Sequence, residues 1–237
     1  MKAIHINETG DLNRLVYGEV PSPRPAPGEV VINVRAAALN HLDIRVRRGR
    51  PGVPIQAPHV LGSDASGTIS ELGPSVTGLH IGDEVILNPG VSCGHCEFCL
   101  RGEQSECPAF GIVGMSRPGT FAEQVSVPAV NVHPKPAHLN FEEAAALPLA
   151  YVTAWRLIMT RGGLKAGETA LIHGIGGGVA IAALQLAKLA GATAIVTSSS
   201  DHKLARARAL GADHGVNYRK VGDIATEIKK LTDGRGV

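Results

Sequence analysis

Cys93, Cys96, Cys99 and Cys107 are the only cysteines in the chain, and they follow the spacing C-x2-C-x2-C-x7-C. Four thiolates on one loop can close a tetrahedral site and leave no position open for a substrate. The chemistry this pattern supports is therefore structural: a metal ion pins a loop that has little core of its own. One zinc ion per chain is the expected occupant, in a lobe of about residues 89–112. Two other readings use the same residues. Disulfides are one, although a cytoplasmic chain keeps its thiols reduced. An iron–sulfur cluster is the other, because Cys107-Pro108 echoes the end of the ferredoxin run, where the last spacing is three rather than seven.

The stretch around Gly174 suits a different task. Glu168 to His173 is a short apolar run of the kind a buried parallel strand shows. Gly174-Ile175-Gly176-Gly177-Gly178-Val179-Ala180 follows. Val179, Ala182, Ala183, Leu186 and Ala190 then recur on one helical face. Strand, glycine turn and helix together let the backbone approach a diphosphate and offer it unpaired N–H groups at the positive end of the helix dipole. A strict G-x-G-x-x-G would need Gly at Val179, whereas G-x-x-G-x-x-A fits Gly174, Gly177 and Ala180. A tight strand-to-helix connection with no ligand fits the same residues.

These two stretches need different scaffolds. The first half is β-rich. Val30, Ile32 and Val34 alternate with Val31, Asn33 and Arg35 as in a half-buried strand, Gly67–Gly73 and Asp83–Leu87 are short strands, and Phe121, Glu123, Val125 and Val127 make a period-two run that Pro128 stops. Many short strands punctuated by Gly and Pro suggest a barrel-like β domain. Pro21 to Gly28 reads as a surface connection. Asn140 with Glu143 marks a helix start, and Pro148 opens the next helix. Beyond it the expected order is strand to about His173, helix to about Leu189, strand Ala194–Val196, helix Asp201–Leu210 and a short strand near Val216. That βαβαβ order is half of a dinucleotide fold. The expected division is residues 1–145 and 146–237.

With 237 residues the chain has room for two ordinary domains. Aromatic residues make up only 3%, so the core must be aliphatic. A formal charge of +2 argues against nucleic acid as the main partner. Met1 to Ile6 opens as a strand with no signal-peptide pattern, and no apolar run approaches the length of a membrane span. The expectation is a cytoplasmic protein with a small-molecule substrate and neither nucleic-acid nor membrane partners.

A β-rich first half with a four-cysteine lobe, followed by a glycine-turn nucleotide domain, resembles the medium-chain dehydrogenase/reductase superfamily of zinc alcohol dehydrogenases and quinone oxidoreductases. Gly62-Ser63-Asp64-Ala65-Ser66-Gly67-Thr68 and Gly82-Asp83-Glu84-Val85 match the family's long G-H-E-x-x-G … G-D-x-V signature, and Ala144 to Trp155 matches the approach to its cofactor domain. The resemblance implies an α/β protein with a GroES-like barrel and the first half of a Rossmann domain. It implies a structural zinc on the four cysteines. Relatives that bind a catalytic zinc use a Cys, the His of G-H-E and a later Cys or Asp; those positions here are Asn40, Ser63 and Leu149, which are poor or impossible zinc ligands. His41, Asp43, His59 and Asp64 are close enough in sequence for a rebuilt site to be conceivable. Asn40 within Ala38-Leu39-Asn40-His41-Leu42-Asp43 is similar to the A-x-N-x-x-D pattern of the zinc-free quinone and enone reductases. The implied catalytic residues are Asn40, Asp43 and Ser63, with Tyr151 as a further donor or as an ordinary core aromatic.

The resemblance also assigns Thr153, Gly174, Gly176, Gly177, Gly178 and Val179 to a dinucleotide. Ser198 aligns with the acid that bonds the ribose 2′-hydroxyl in NAD enzymes. Lys203 and Tyr218 match phosphate-side positions of NADPH-using reductases. NADPH is therefore expected, with NADH as the other choice. Arg45, Arg47, Arg48 and Arg50 read as a solvated loop, or as a grip on a phosphate-bearing substrate. The chain stops at Val237, where relatives enter a fourth strand. The expectation is a C-terminally truncated member without the edge through which homodimeric or homotetrameric relatives pair, binding cofactor weakly. The resulting function is NADPH-dependent reduction of a conjugated carbonyl or quinone. A zinc-dependent alcohol dehydrogenase with atypical ligands and a non-catalytic zinc-binding fragment are the alternatives.

Overall fold

Alternating aliphatic residues build the first part of the chain. In the computed structural model, which describes residues 1–49 and 55–237, the elements run β1 (Lys2–Ile6), β2 (Val16–Glu19), β3 (Glu29–Ala38), α1 (His41–Arg48), β4 (His59–Val60), β5 (Asp64–Leu72), β6 (Glu84–Leu87), β7 (Gly90–Val91), α2 (Glu97–Leu100), β8 (Gly111–Ile112), β9 (Gln124–Pro128), β10 (Val132–Pro134), α3 (Phe141–Ala145), α4 (Pro148–Trp155), β11 (Thr169–Ile172), α5 (Gly178–Leu189), β12 (Thr193–Ser198), α6 (Asp201–Ala209), β13 (His214–Asn217) and α7 (Ile224–Leu231). They form two compact units, Met1–Leu149 and Ala150–Val237.

In the first unit, β10-β6-β5-β3-β9 make one antiparallel sheet and β2-β1-β4 a second. Val30, Ile32, Ile69, Val85, Leu87, Val125 and Val127 lie between strands, all under 3% exposed. Burying each such side chain contributes about 1.5–3 kcal/mol. The period-two run from Phe121 divides: Val125 and Val127 pair with β3, while Phe121 and Glu123 bond the β1 side through Ile4 N–H to Phe121 O and Glu123 N–H to Lys2 O. One run of alternation thus serves both sheets. Asn140 caps α3 by accepting the Glu143 N–H at 2.8 Å, and the Glu143 carboxylate accepts the Asn140 N–H at 3.1 Å.

The arginine run differs from expectation. Arg45, Arg47 and Arg48 are not on a loop but on α1, whose start is tied by the Asn40 N–H donating to Asp43 Oδ2 at 2.7 Å. Arg47 is buried and donates to Gly10 O at 2.6 Å, so it serves the fold, while Arg45 and Arg48 are exposed. Arg50 lies outside the described residues.

The second unit is a parallel sheet in the order β11-β12-β13. Its core uses small side chains: Ala182, Ala183 and Leu184 of α5 pack on Ile172, Ala194 and Val196, and Ala187 is buried as well. The buried face of α5 is therefore centred on Ala183, Leu184 and Ala187, with Val179 and Leu186 only half-buried at its edge. The helix is apolar nearly all round, so periodicity alone does not single out its face. Helix α7, not anticipated, buries Ile228 beside Ile195 and Val216 and is capped by Asp223. Trp155, 54% exposed, ends α4 where the chain passes into a single π-helical turn, Arg156–Arg161. Among the described residues no helix is long and apolar enough to cross a membrane.

Candidate functional site

Three groups of chemically capable side chains form in the structure. The first is the cysteine lobe. The β7–β8 ladder closes its base, with Gly90 opposite Ile112 and Val91 opposite Gly111. Asn131 secures the base from outside by donating to the carbonyls of Asn88 and Gly90. Cys99 sits on α2, and the four Sγ atoms lie within 4.8 Å of one another, with Cys93–Cys107 and Cys96–Cys99 at 3.5 Å and Cys93–Cys99 at 3.9 Å. A tetrahedron of sulfurs at a Zn–S distance of about 2.3 Å has edges of roughly 3.8 Å. The donor set thus fits zinc. Hydrogen bonds from the backbone of His95 and Cys96 hold the Cys93 thiol down at about 6. Cys96 accepts the Cys99 N–H, which lowers it, but desolvation and the other three thiols outweigh this and raise it to about 11. Without metal the surroundings hold the Cys93 and Cys99 thiols down and push Cys96 up, the like-charge problem a dication removes.

The second group surrounds Asp64. This residue is 1% exposed at the start of β5. Its Oδ2 accepts Asn40 Nδ2–H at 2.8 Å, its Oδ1 accepts the Leu149 N–H at 2.8 Å, and its carbonyl accepts the Thr120 hydroxyl at 2.9 Å. Desolvation raises the Asp64 carboxyl to about 6, against the lowering effect of Asn40 and Leu149, and the nearby Asp43 adds to the rise. Asp43 is itself raised by burial, opposed by the backbone N–H groups of Asn40 and Gly62. Ser63 is fully buried, and its hydroxyl has no protein partner. Two of the three positions that matched zinc ligands, Asn40 and Leu149, are therefore joined by a carboxylate. Of the residues considered for a rebuilt metal site, His59 bonds Gly114 O at 2.9 Å and His41 is exposed, while among the described residues the four cysteines are the group that gathers to hold an ion. Asp64 was the residue that sequence reading passed over as one neighbour among several.

The third group is the glycine turn. Gly174 has φ 70° and Gly176 φ 120°, backbone that a side chain rarely adopts. Gly177 is the N-cap of α5, and no acidic residue stands in that first turn, whose N–H groups have no intrahelical acceptor. A Cβ at Gly176 would fall 2.9 Å from Lys203 Cδ and 3.5 Å from its Nζ, so the exposed lysine lies across the turn. Ser198 is buried and its Oγ accepts the Ser200 N–H at 3.2 Å; the Ser200 Oγ accepts the Lys203 N–H at 3.4 Å. Tyr218 is 43% exposed and its N–H donates to Ser198 O. A carboxylate does stand near the end of β12: Asp201 opens α6, bonded by Asn217 and Lys220, which hold its pKa below the ordinary value. Val179 lies within the first turn of α5 and Thr153 is half-buried on α4. The Tyr151 hydroxyl donates to Gln185 within the second unit.

Comparison with known proteins places these groups in a family context. The family model for the alcohol dehydrogenase GroES-like domain matches residues 26–137, and that for zinc-binding dehydrogenase matches residues 178–237. A zinc-type alcohol dehydrogenase-like protein of Schizosaccharomyces pombe is 39% identical over 92% of this chain, which spans 61% of that relative's length. A solved NAD-dependent alcohol dehydrogenase superposes with a TM-score of 0.94 at 47% identity, covering 100% of this chain and 69% of its own. A solved quinone oxidoreductase of Pseudomonas syringae gives a TM-score of 0.82 at 31% identity, covering 99% of this chain and 63% of its own.

Proposed function

Because this chain belongs to the medium-chain dehydrogenase/reductase superfamily, with a GroES-like domain and a partial Rossmann domain, we propose that it works as an NADPH-dependent oxidoreductase that reduces a conjugated carbonyl or quinone without a catalytic zinc. The Asp64 node carries this reading. Where a metal-dependent relative needs three donors, this chain offers an amide, a buried hydroxyl and a leucine, and the Asp64 carboxylate takes up the bonds of Asn40 and Leu149.

A bound nicotinamide dinucleotide would supply the hydride. Asn40 gives one amide proton to Asp64 and has a second with which to polarise a carbonyl oxygen. Asp64 holds the Asn40 amide in place for that task through the 2.8 Å bond to its Oδ2, and burial raises its own carboxyl to about 6. The first-turn N–H groups of α5 and the Lys203 ammonium bind phosphate oxygens by charge-assisted hydrogen bonds. The four cysteines would hold zinc as a crosslink across their loop. The reading includes a cytoplasmic location, where reducing conditions keep such thiols available to a metal.

Metal analysis joined to turnover tests the reading. It expects one zinc per chain and NADPH consumption with a quinone or enone. Two zincs per chain, with alcohol oxidation that stops when the second is removed, would overturn it. NAD-linked alcohol oxidation is the second reading, favoured by the Asp201 carboxylate three residues beyond Ser198; parallel titration with NADH and NADPH separates the two.

A further inference from the structure

Thr197 takes no part in the chemistry above, and it is 1% exposed at the end of β12. It nevertheless meets three consecutive residues where β11 passes into the glycine turn, His173, Gly174 and Ile175. The Gly174 N–H donates to Thr197 Oγ1 at 3.2 Å, the Ile175 N–H donates to the Thr197 carbonyl at 2.8 Å, and His173 Nδ1 lies 3.2 Å from the same Oγ1. A hydroxyl accepts one proton and donates its own at once, so a single oxygen can link the Gly174 amide to the exposed His173 ring. Valine, an ordinary occupant of a buried parallel strand, would fill the same space and leave the Gly174 N–H without that acceptor.

We propose that Thr197 is a positioning residue for dinucleotide binding: it fixes Gly174 and Ile175 against β12 and so sets the direction in which the chain enters α5. The inference rests on the turn being a dinucleotide site. Three glycines in four positions make a loose segment, and fixing each residue costs about 1–2 kcal/mol of conformational entropy. Anchoring the turn before ligand arrives removes part of that cost from binding.

Thr197→Val and Thr197→Ser, made in the whole chain, test this through NADPH and NADH dissociation constants and the exchange rate of the Gly174 amide. Thr197→Val is expected to weaken both cofactors about fivefold to tenfold and to speed Gly174 exchange by a similar factor. Thr197→Ser, which keeps the hydroxyl, is expected to restore both. A role in packing alone would reverse the order, the serine variant being the worse. Parental affinity and exchange in Thr197→Val, or a serine variant as impaired as the valine one, overturns the proposal. If the parent binds neither cofactor, the functional reading falls by itself; faster Gly174 exchange in Thr197→Val then still upholds the anchor, and unchanged exchange removes it.

Discussion

In the cysteine lobe every donor comes from positions 93–107, whereas around Asp64 the groups come from positions 40, 120 and 149. The lobe is a local device. Its donors are close in sequence, its base is a two-stranded ladder, and its energy comes from an ion the chain does not encode. The Asp64 node is a product of the finished fold. Burial raises the carboxyl, and partners brought from far along the chain offset that cost with hydrogen bonds. A local site can form while the rest of the chain is loose; a node such as Asp64's exists only when the sheet around it is in register.

Loss of a sulfur donor should have the largest effect and stay local. In Cys107→Ser, zinc affinity is expected to fall by at least ~100-fold, with amide exchange rising between Gly90 and Ile112 while the β3–β5 ladder stays protected. Zinc release to a chromogenic chelator and exchange mass spectrometry read the two halves of this expectation. Parental zinc affinity, or a brown iron-containing protein, would break the assignment of the lobe.

Asp64→Asn should act on the whole first unit and on its pH dependence. The folded carboxyl titrates near 6 against an ordinary value of 3.8, so it holds its proton more readily folded than unfolded. Its contribution to stability is therefore full below pH ~4, is lost as pH rises towards ~6 and is level above that. Denaturant melts of parent and variant between pH 4 and 7 should show their difference change by about 2–3 kcal/mol across that window; zinc loss at low pH is common to both and cancels. A difference that does not vary with pH would mean that Asn40 and Leu149 fully compensate burial.

The glycine turn lies between the two extremes and supplies the smaller effects. Lys203→Ala is expected to weaken NADPH about tenfold or more, worth about 1.5–3 kcal/mol, and to leave NADH nearly unchanged. Equal affinity of the parent for both cofactors would refute the NADPH preference. Gly176→Ala forces a side chain into φ 120° and towards Lys203 Cδ, and should cost about 1–2 kcal/mol of stability. Adding Lys203→Ala should relieve the crowding but not the backbone strain, so thermal melts of the double variant should recover only part of the loss.

The contrast also explains what could be read from the sequence. The cysteine spacing and the strand–glycine–helix order of residues 169–189 depend on neighbours, and the structure brings those residues together. So do the Asn140–Glu143 cap and Pro148 at the head of α4. Asp64 was not legible because its partners lie 24 and 85 residues away. Thr197 and Gly174, 23 residues apart, were hidden for the same reason. Helix α1 is legible in part: Asn40-x-x-Asp43 is a cap in its own right as well as a site motif, but the charges after it mask the apolar face of Leu42 and Val46. Helix α7 has a plain local signal, Asp223 as its cap followed by Ile224, Ile228 and Leu231.

The single indole of the chain lies in the second unit, at the half-open end of α4. Its fluorescence therefore reports on the unit that holds it, residues 150–237, whereas the thiol-rich loop carries no indole of its own. Replacing zinc by cobalt would give that loop a colour of its own through thiolate-to-metal absorbance. One sample then carries two separate optical channels, and a single heating ramp reveals whether the two parts of the molecule melt in concert or in sequence.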